Sequence, residues 1–282
     1  MLIIIKPSDK KNHKNSVDWL IKECKKRQIE PELYLTTGKF ENDCADIALL
    51  AKNQTQVVVI GGDGTLHLAV NAVIESNCSI ALIPAGTGND FARGFACKQQ
   101  AWYEAVFNSR TELIDIGQIN QRYFINVAGI GFDAEVVAQL NKTESYGSFG
   151  YIWQGVKQLF SFQAKPLHAA FNGKALNYSN LVTIFANHQY FGGGLKIAPK
   201  AQLNDGQLDC YCMPADGLLK NLLSFVYLLL VKHHSLKRLE YSQLVSAEVT
   251  TPRQLIEADG ELVGYTPAKV SIHPQALRFH VP

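Results

Sequence analysis

Three short runs in the first third of the chain, at 2–5, 57–60 and 80–83, are continuously apolar, and a fourth at 32–36 is rich in Leu and Tyr. Runs that are apolar on both faces read as buried strands of a parallel sheet. Between and after them, apolar residues recur at helical spacing near 15–28, 43–52, 65–75 and 99–108. Strand and helix thus alternate, which predicts a three-layer α/β domain with a mostly parallel sheet and ligands at the carboxyl ends of its strands. After Asp115-Ile116-Gly117 the texture changes to short strands at 113–119, 122–128, 167–172, 179–186, 207–213, 244–249, 253–257 and 269–272. Helical segments near 133–140, 147–162 and 217–232 interrupt them. This half reads as a β-sandwich. The change of texture puts the boundary near 118–122 and gives domains at 1–120 and 121–274.

Two of the buried runs end in glycine-and-acid turns, Gly61-Gly62-Asp63-Gly64-Thr65 and Ala85-Gly86-Thr87-Gly88-Asn89-Asp90. Both turns fall at the same edge of a parallel sheet. Glycines let backbone amides approach a ligand, and a helix starting behind them adds the positive end of its dipole, so the pair is suited to phosphate. Carboxylates repel bare phosphate, so Asp63 and Asp90 imply a bridging cation. The residues therefore predict a nucleoside triphosphate with Mg2+ in a phosphotransferase. No GxxxxGK[ST] run and no HRD or DFG set occurs, which excludes P-loop enzymes and the protein kinase fold. Gly129-Ile130-Gly131-Phe132-Asp133-Ala134 matches G-x-G-x-x-A, but no acidic residue follows a second strand at dinucleotide spacing.

Composition narrows the picture little further. At 282 residues, 47% hydrophobic and 18% charged, the chain is a globular protein able to build two cores. A formal net charge of +2 gives no reason to expect a nucleic-acid partner. The six cysteines show neither CxxC spacing nor a histidine partner, so no disulfide framework or zinc site is expected, and Cys210 and Cys212 read as small buried hydrophobes. With no cleavable signal pattern, a cytoplasmic location is expected. Segment 217–234 holds a dense apolar stretch, Leu222 to Val231, followed by Lys232, His233, His234, Lys237 and Arg238. It is too short to span a bilayer and reads either as a helix packed on the sandwich or as an interfacial helix giving peripheral contact with the inner membrane face.

Taken in order, GGDGTL at 61–66, PAGTGNDFAR at 84–93, NVAGIGFDAEV at 126–136, NHQYFGGGLKIAPKAQLNDGQLD at 187–209 and ADGE at 258–261 resemble the bacterial diacylglycerol kinase and lipid kinase family, which is related to NAD kinase and sphingosine kinase. The resemblance implies an N-terminal NAD kinase-like domain, a C-terminal β-sandwich that accepts the lipid, a final strand within 275–282 returning to the first domain, and ATP in the cleft between. It implies that Gly61, Gly62, Asp63, Gly64, Thr65, Leu66, His67 and Leu68 wrap the phosphates, that Thr87 adds a hydroxyl beside Asn89, and that Thr36, next to Thr37, faces the nucleotide. Asp63, Asp90 and Asp115 would form an acidic network holding the catalytic Mg2+ with water. Asp259 and Glu261, read as alternating along an extended segment and so projecting on one side, become the base site, with Glu261 as proton acceptor and Asp259 its close partner. A second, structural Mg2+ is implied on Asp205 and the carbonyls of Gln202 and Gln207. Without the resemblance, that loop reads as a plain Asp-Gly turn. The chain departs from the family where His67 and Leu68 stand in place of Asn and Glu, and where its first strand ends Lys6-Pro7-Ser8-Asp9.

The implied activity is an ATP-dependent lipid kinase of phospholipid biosynthesis acting on diacylglycerol or a related lipid. The alternatives are an NAD kinase, with the same cleft and a soluble acceptor, and a non-catalytic ATP-binding regulatory protein. Strand edges in the sandwich offer a route to a homodimer.

Overall fold

The computed structural model describes residues 1–143 and 148–282, which divide into two compact units, Met1–Ile114 with Gln275–Pro282, and Asp115–Pro274. The first division falls inside a strand and ahead of the boundary suggested by the change of texture, so Asp115 belongs to the second unit.

In the first unit, strands β1 (Leu2–Ile5), β2 (Glu32–Leu35), β3 (Gln56–Gly61) and β4 (Ser79–Pro84) alternate with helices α1 (Lys11–Lys26), α2 (Phe40–Ala51), α3 (Asp63–Val73), α4 (Asp90–Arg93) and α5 (Gln99–Phe107). The strands run parallel in the order β4-β3-β1-β2. Every residue of β1 and β4 is buried, which is why both read as unbroken apolar or small-residue runs. Ile3, Ile5, Val58, Ile60, Ala81 and Ile83 pack with Leu20, Cys24 and Val106 of α1 and α5. Helices α2 and α3 pack on each other, and α3 touches β1 and β3. The result is the expected three-layer domain.

The second unit begins within β5 (Thr111–Ile119) and continues through β6 (Arg122–Phe124), β7 (Val127–Gly131), α6 (Phe132–Thr143), α7 (Ser148–Ser161), β8 (Lys165–Phe171) and β9 (Lys174–Ala186). It is completed by β10 (Tyr190–Phe191), β11 (Leu195–Lys196), β12 (Leu208–Pro214), α8 (Leu218–Leu229), β13 (Glu240–Leu244), β14 (Ser246–Val249), β15 (Leu255–Ala258), β16 (Glu261–Tyr265) and β17 (Ala268–His280). The pairings are antiparallel, with β9 joined to β7, β8 and β12, and β15 to β7 and β16. Phe124, Ile130, Leu167, Phe185, Leu208, Ile256 and Val270 meet in one core with Cys210 and Cys212, the two small buried hydrophobes anticipated from sequence. The helix expected over 147–162 is found as α7, and Gly147 lies outside the described residues.

Strand β17 corrects the expectation of two separate final strands at 269–272 and 277–281. It runs unbroken, but Pro274 removes an amide donor and Gln275 turns to φ 52°, so the sequence looks interrupted where the two units divide. Its last residues belong to the first unit. Phe279 pairs in parallel with Ile80 and packs edge-on against Phe91, and His280 Nε2 lies 2.9 Å from Ser79 Oγ.

Candidate active site

In the first unit the two glycine turns meet backbone to backbone. Strands β3 and β4 are neighbours in register, Gly61 opposite Pro84, so both turns leave the sheet at its carboxyl edge. A Cβ on Gly86 would stand 2.5 Å from Gly62 Cα, and a Cβ on Gly61 would stand 2.5 Å from Thr65 Oγ1. No side chain fits at either place, so glycine here is a matter of space. Asn89 adopts φ 51° and closes the second turn on itself, accepting the Gly86 amide at 2.9 Å and donating to the Gly86 carbonyl at 3.1 Å. Helix α3 begins directly at Asp63, behind an extended Gly62, so the positive end of its dipole faces the turn. Asp63 Oδ1 accepts the amide of Phe91 at 3.0 Å, tying the first turn to the start of α4, where Asp90 is buried 4.0 Å from Arg93 Nε. Gly62 and Asp63 are half-buried, whereas Gly64 and Thr87 are exposed, so this side of the turns is open to a ligand.

The remaining residues of that group face inward. Thr65, Leu66, His67 and Leu68 bury their side chains as α3 turns toward the sheet, with His67 5.6 Å from the ring of Phe40. Residues 65–68 therefore leave backbone, not side chains, at the surface of the turn. The second strand presents Thr36, half-buried, with its amide on the Ile5 carbonyl. Thr37 is committed elsewhere, its hydroxyl donating to Asp43 Oδ1 at 2.7 Å. Burial pushes the Asp43 carboxyl up, but hydrogen bonds from Thr37, Tyr34 and Gly38 outweigh it and hold the group below its ordinary value.

In the second unit the site is built from carboxylates. Asp259 and Gly260 form a two-residue hairpin between β15 and β16, Ala258 opposite Glu261, with φ 51° and 85°. Asp-Gly is the sequence this mirror-type turn prefers. The segment is therefore not extended, which corrects the reading that Asp259 and Glu261 share one side of a strand. Asp259 turns back and accepts three successive amides, Ile125 at 2.9 Å, Asn126 at 2.8 Å and Val127 at 3.1 Å, while Glu261 opens β16 with its side chain exposed. A carboxylate committed to three amides positions the turn. The carboxylate beside it, Glu261, is exposed.

Asp115 is fully buried and engaged by the loop at 202–207. Its Oδ2 accepts the Gly206 amide at 2.7 Å, and its own amide donates to the Leu203 carbonyl at 2.6 Å. These hydrogen bonds join it to that loop, and its carbonyl accepts from Asn187. Asp205 is half-buried, with Oδ1 accepting the amide of Gln207 at 3.0 Å, and Gln202 is exposed. Among the described residues no three His, Cys, Asp or Glu side chains come together as a metal-binding group.

Several residues of this network were not singled out from sequence. Asn187 donates to the carbonyls of Asp115 and Ile125, both at 2.9 Å, and so links the Gly206 loop to the strand that holds Asp259. Buried His188 lies under the turn, its pKa lowered to about 4 by burial, with the charge of Asp259 acting in the other direction. Behind the turn, Asp133 and Glu257 are both buried, and the charge of Asp133 bears on Glu257. Burial raises Asp133 to about 7, and burial together with the Asp133 charge pushes Glu257 well above the carboxylate range. Glu257 Oε2 also accepts the Gly260 amide at 2.9 Å, so the pair braces the hairpin from within. A Cβ on Gly129 would stand 1.4 Å from Asp133 Oδ2, which explains the glycine in GIGFD without any dinucleotide.

The same unit contains a small apolar cavity of about 60 Å³, between strands and helices α6 to α8. Phe132, Leu181, Phe191, Met213, Phe225 and Leu228 line it, and Asp133 lies at its wall.

The chain matches two family models, "Diacylglycerol kinase catalytic domain" over residues 1–119 and "YegS C-terminal NAD kinase beta sandwich-like domain" over residues 126–281. It is 30% identical over 241 residues to a diacylglycerol kinase of Mycobacterium tuberculosis, covering 82% of this chain and 78% of that one. It is 25% identical over 290 residues to a diacylglycerol kinase of Staphylococcus carnosus, covering 99% and 94%. A crystal structure of a diacylglycerol kinase from Bacillus anthracis superposes with a TM-score of 0.77 at 21% identity, over 100% of this chain and 96% of that one, which shows the shared fold.

Proposed function

The chain belongs to the bacterial diacylglycerol kinase and YegS-like lipid kinase family, and from that premise we propose that it transfers the γ-phosphoryl group of ATP to a hydroxyl of diacylglycerol or a closely related lipid. The observation that carries the nucleotide side is the backbone contact of Gly62 with Gly86, where only glycines fit and helix α3 begins. Exposed amides there suit phosphate oxygens. Asp63 and Asp90, one on each turn and tied through the Phe91 amide, fit a Mg2+ ion, which binds through one or two carboxylates together with phosphate oxygens. When bound, that ion neutralises charge developing on the γ-phosphate. Asp205 with the carbonyls of Gln202 and Gln207 suits a second, structural cation with oxygen ligands.

On the acceptor side, Glu261 takes the proton of the attacking hydroxyl, and Asp259, bound by three amides, fixes the turn that carries it. The apolar cavity beside α8 supports a lipid over nicotinamide dinucleotide, because an acyl chain gains from such a lining and a dinucleotide does not. Retention of Asp63, Asp90, Asp259 and Glu261 favours a working kinase over a regulatory ATP-binding protein.

The test is transfer of labelled γ-phosphate from ATP with Mg2+ to detergent-dispersed diacylglycerol, other hydroxyl lipids and NAD, beside Glu261→Gln. Labelled lipid that disappears in the variant is expected. Labelled NAD alone, or no transfer by a protein that binds ATP, would overturn the proposal.

A further inference from the structure

Helix α8 is apolar on two sides. Toward the unit it buries Phe225 and packs Leu222, Leu228 and Leu229 into a core shared with Phe132, Leu159 and Met213. Away from it, Leu219 is 83% exposed, Leu223 51%, Val226 47% and Leu230 59%. These four recur at spacings of four, three and four, so they form one stripe along the outer face. A core-packed helix needs only the first face, and the second costs solubility unless something covers it.

The neighbouring helix α7 repeats the arrangement. A Cβ on Gly155 would stand 2.7 Å from the Phe225 ring, so the two helices approach closely there. The side chains that α7 leaves exposed include Trp153 and Phe160, with exposed Lys157 holding its Nζ 5.1 Å from the Trp153 ring. Trp and Lys together suit a boundary between hydrocarbon and charged headgroups, where the indole is half-buried and the long lysine stem reaches outward. Past the end of α8, Lys232, His234 and Lys237 are exposed. At the other end Asp216 is balanced by Lys220, 2.5 Å away, and Arg238 binds the Lys220 carbonyl and Ser224 Oγ, tying the chain beyond α8 to its first turns. The surface is thus apolar along its length and basic at its margin.

No helix among the described residues is long and apolar enough to cross a membrane. Twelve residues of α8 extend about 18 Å at 1.5 Å per residue, against a hydrocarbon core of about 30 Å. A helix with these properties lies in the interface. We infer that the outer faces of α7 and α8 dock the protein on an anionic lipid bilayer, Leu219, Leu223, Val226 and Leu230 entering the headgroup boundary while Lys157, Lys232 and Lys237 meet acidic headgroups. Charge complementarity selects the anionic surface. The choice of partner rests on the lipid kinase reading.

The experiment is co-sedimentation of the full chain, without ATP, with vesicles of phosphatidylglycerol and phosphatidylcholine, and with phosphatidylcholine alone. Wild type is expected to bind the anionic vesicles, with binding weakened by salt. Leu219→Glu with Leu223→Glu should lower that partition by at least about 10-fold, and Lys232→Glu with Lys237→Glu by about 10-fold at low salt. Leu49→Glu, at an exposed leucine of the first unit, should bind as wild type does. Circular dichroism melts confirm that each variant is folded, and phosphorylation of a monomeric short-chain diacylglycerol should survive Leu219→Glu with Leu223→Glu. Wild type that ignores anionic vesicles, a double glutamate variant that binds them equally or loses short-chain activity, or a dimer held by this face in place of vesicle binding would each overturn the inference. Failure of every protein, wild type included, to phosphorylate the short-chain lipid would count against the kinase reading, while vesicle binding decides the docking face independently.

Discussion

The candidate residues of the first unit and those of the second are built from different materials. The nucleotide side is backbone: two turns meeting glycine to glycine, a helix start, and one carboxylate capping the next helix. In the second unit the material is side chains: half-buried Asp259 on three amides, and buried Asn187 bridging two carbonyls, Asp115 on the Gly206 amide, and Asp133 and Glu257 behind them. A phosphate cradle needs donors with no bulk, and backbone supplies them. A proton acceptor must instead be held at one place by other groups, and only a satisfied polar network does that without leaving unpaired charge.

This contrast is sharpest at Glu261. Glu261→Gln should lower turnover by about 10²- to 10⁴-fold, the range for loss of a general base, with ATP affinity and melting temperature unchanged. Steady-state kinetics with a binding titration check it. Gly86→Ala attacks the other side. A methyl group 2.5 Å from Gly62 Cα must spread the turns, so ATP binding should weaken and transfer fall by about 10²-fold, the effect of roughly 1 Å of misplacement.

Asp259→Asn falls between them, because an amide oxygen replaces only part of what three backbone donors require. It should cost about 2 kcal/mol of stability, read from denaturant unfolding, and lower turnover while sparing ATP binding. The smallest effect is on pH dependence. Asp133 has its pKa raised in the folded protein to about 7, against about 4 when unfolded, so its contribution to stability is complete below about pH 4 and lost as pH rises toward about 7. Asp133→Asn cannot lose that proton, and its melting temperature should vary less than that of wild type between pH 5 and pH 8.

The same contrast governed what could be read beforehand. The nucleotide side was legible because its signals are local: an apolar strand, a glycine turn and a helix start lie next to one another in sequence, and β3 and β4 carry them to one edge. The acceptor side was legible only as motifs. Nothing in sequence joins Asp133 to Glu257 or Asn187 to Asp115, which the strand order of the sandwich brings together. The Asp259-Gly260 hairpin had a local signal in its Asp-Gly pair, yet the period-2 reading of ADGE concealed it. At β17 the reading from sequence broke one strand into two.

The most direct test of this division is a paired measurement on Glu261→Gln: ATP affinity by calorimetry and single-turnover transfer to diacylglycerol on the same preparation. The expected result is wild-type ATP affinity with transfer slowed about 10²- to 10⁴-fold. Transfer at the wild-type rate, or loss of ATP binding in a folded variant, would contradict it.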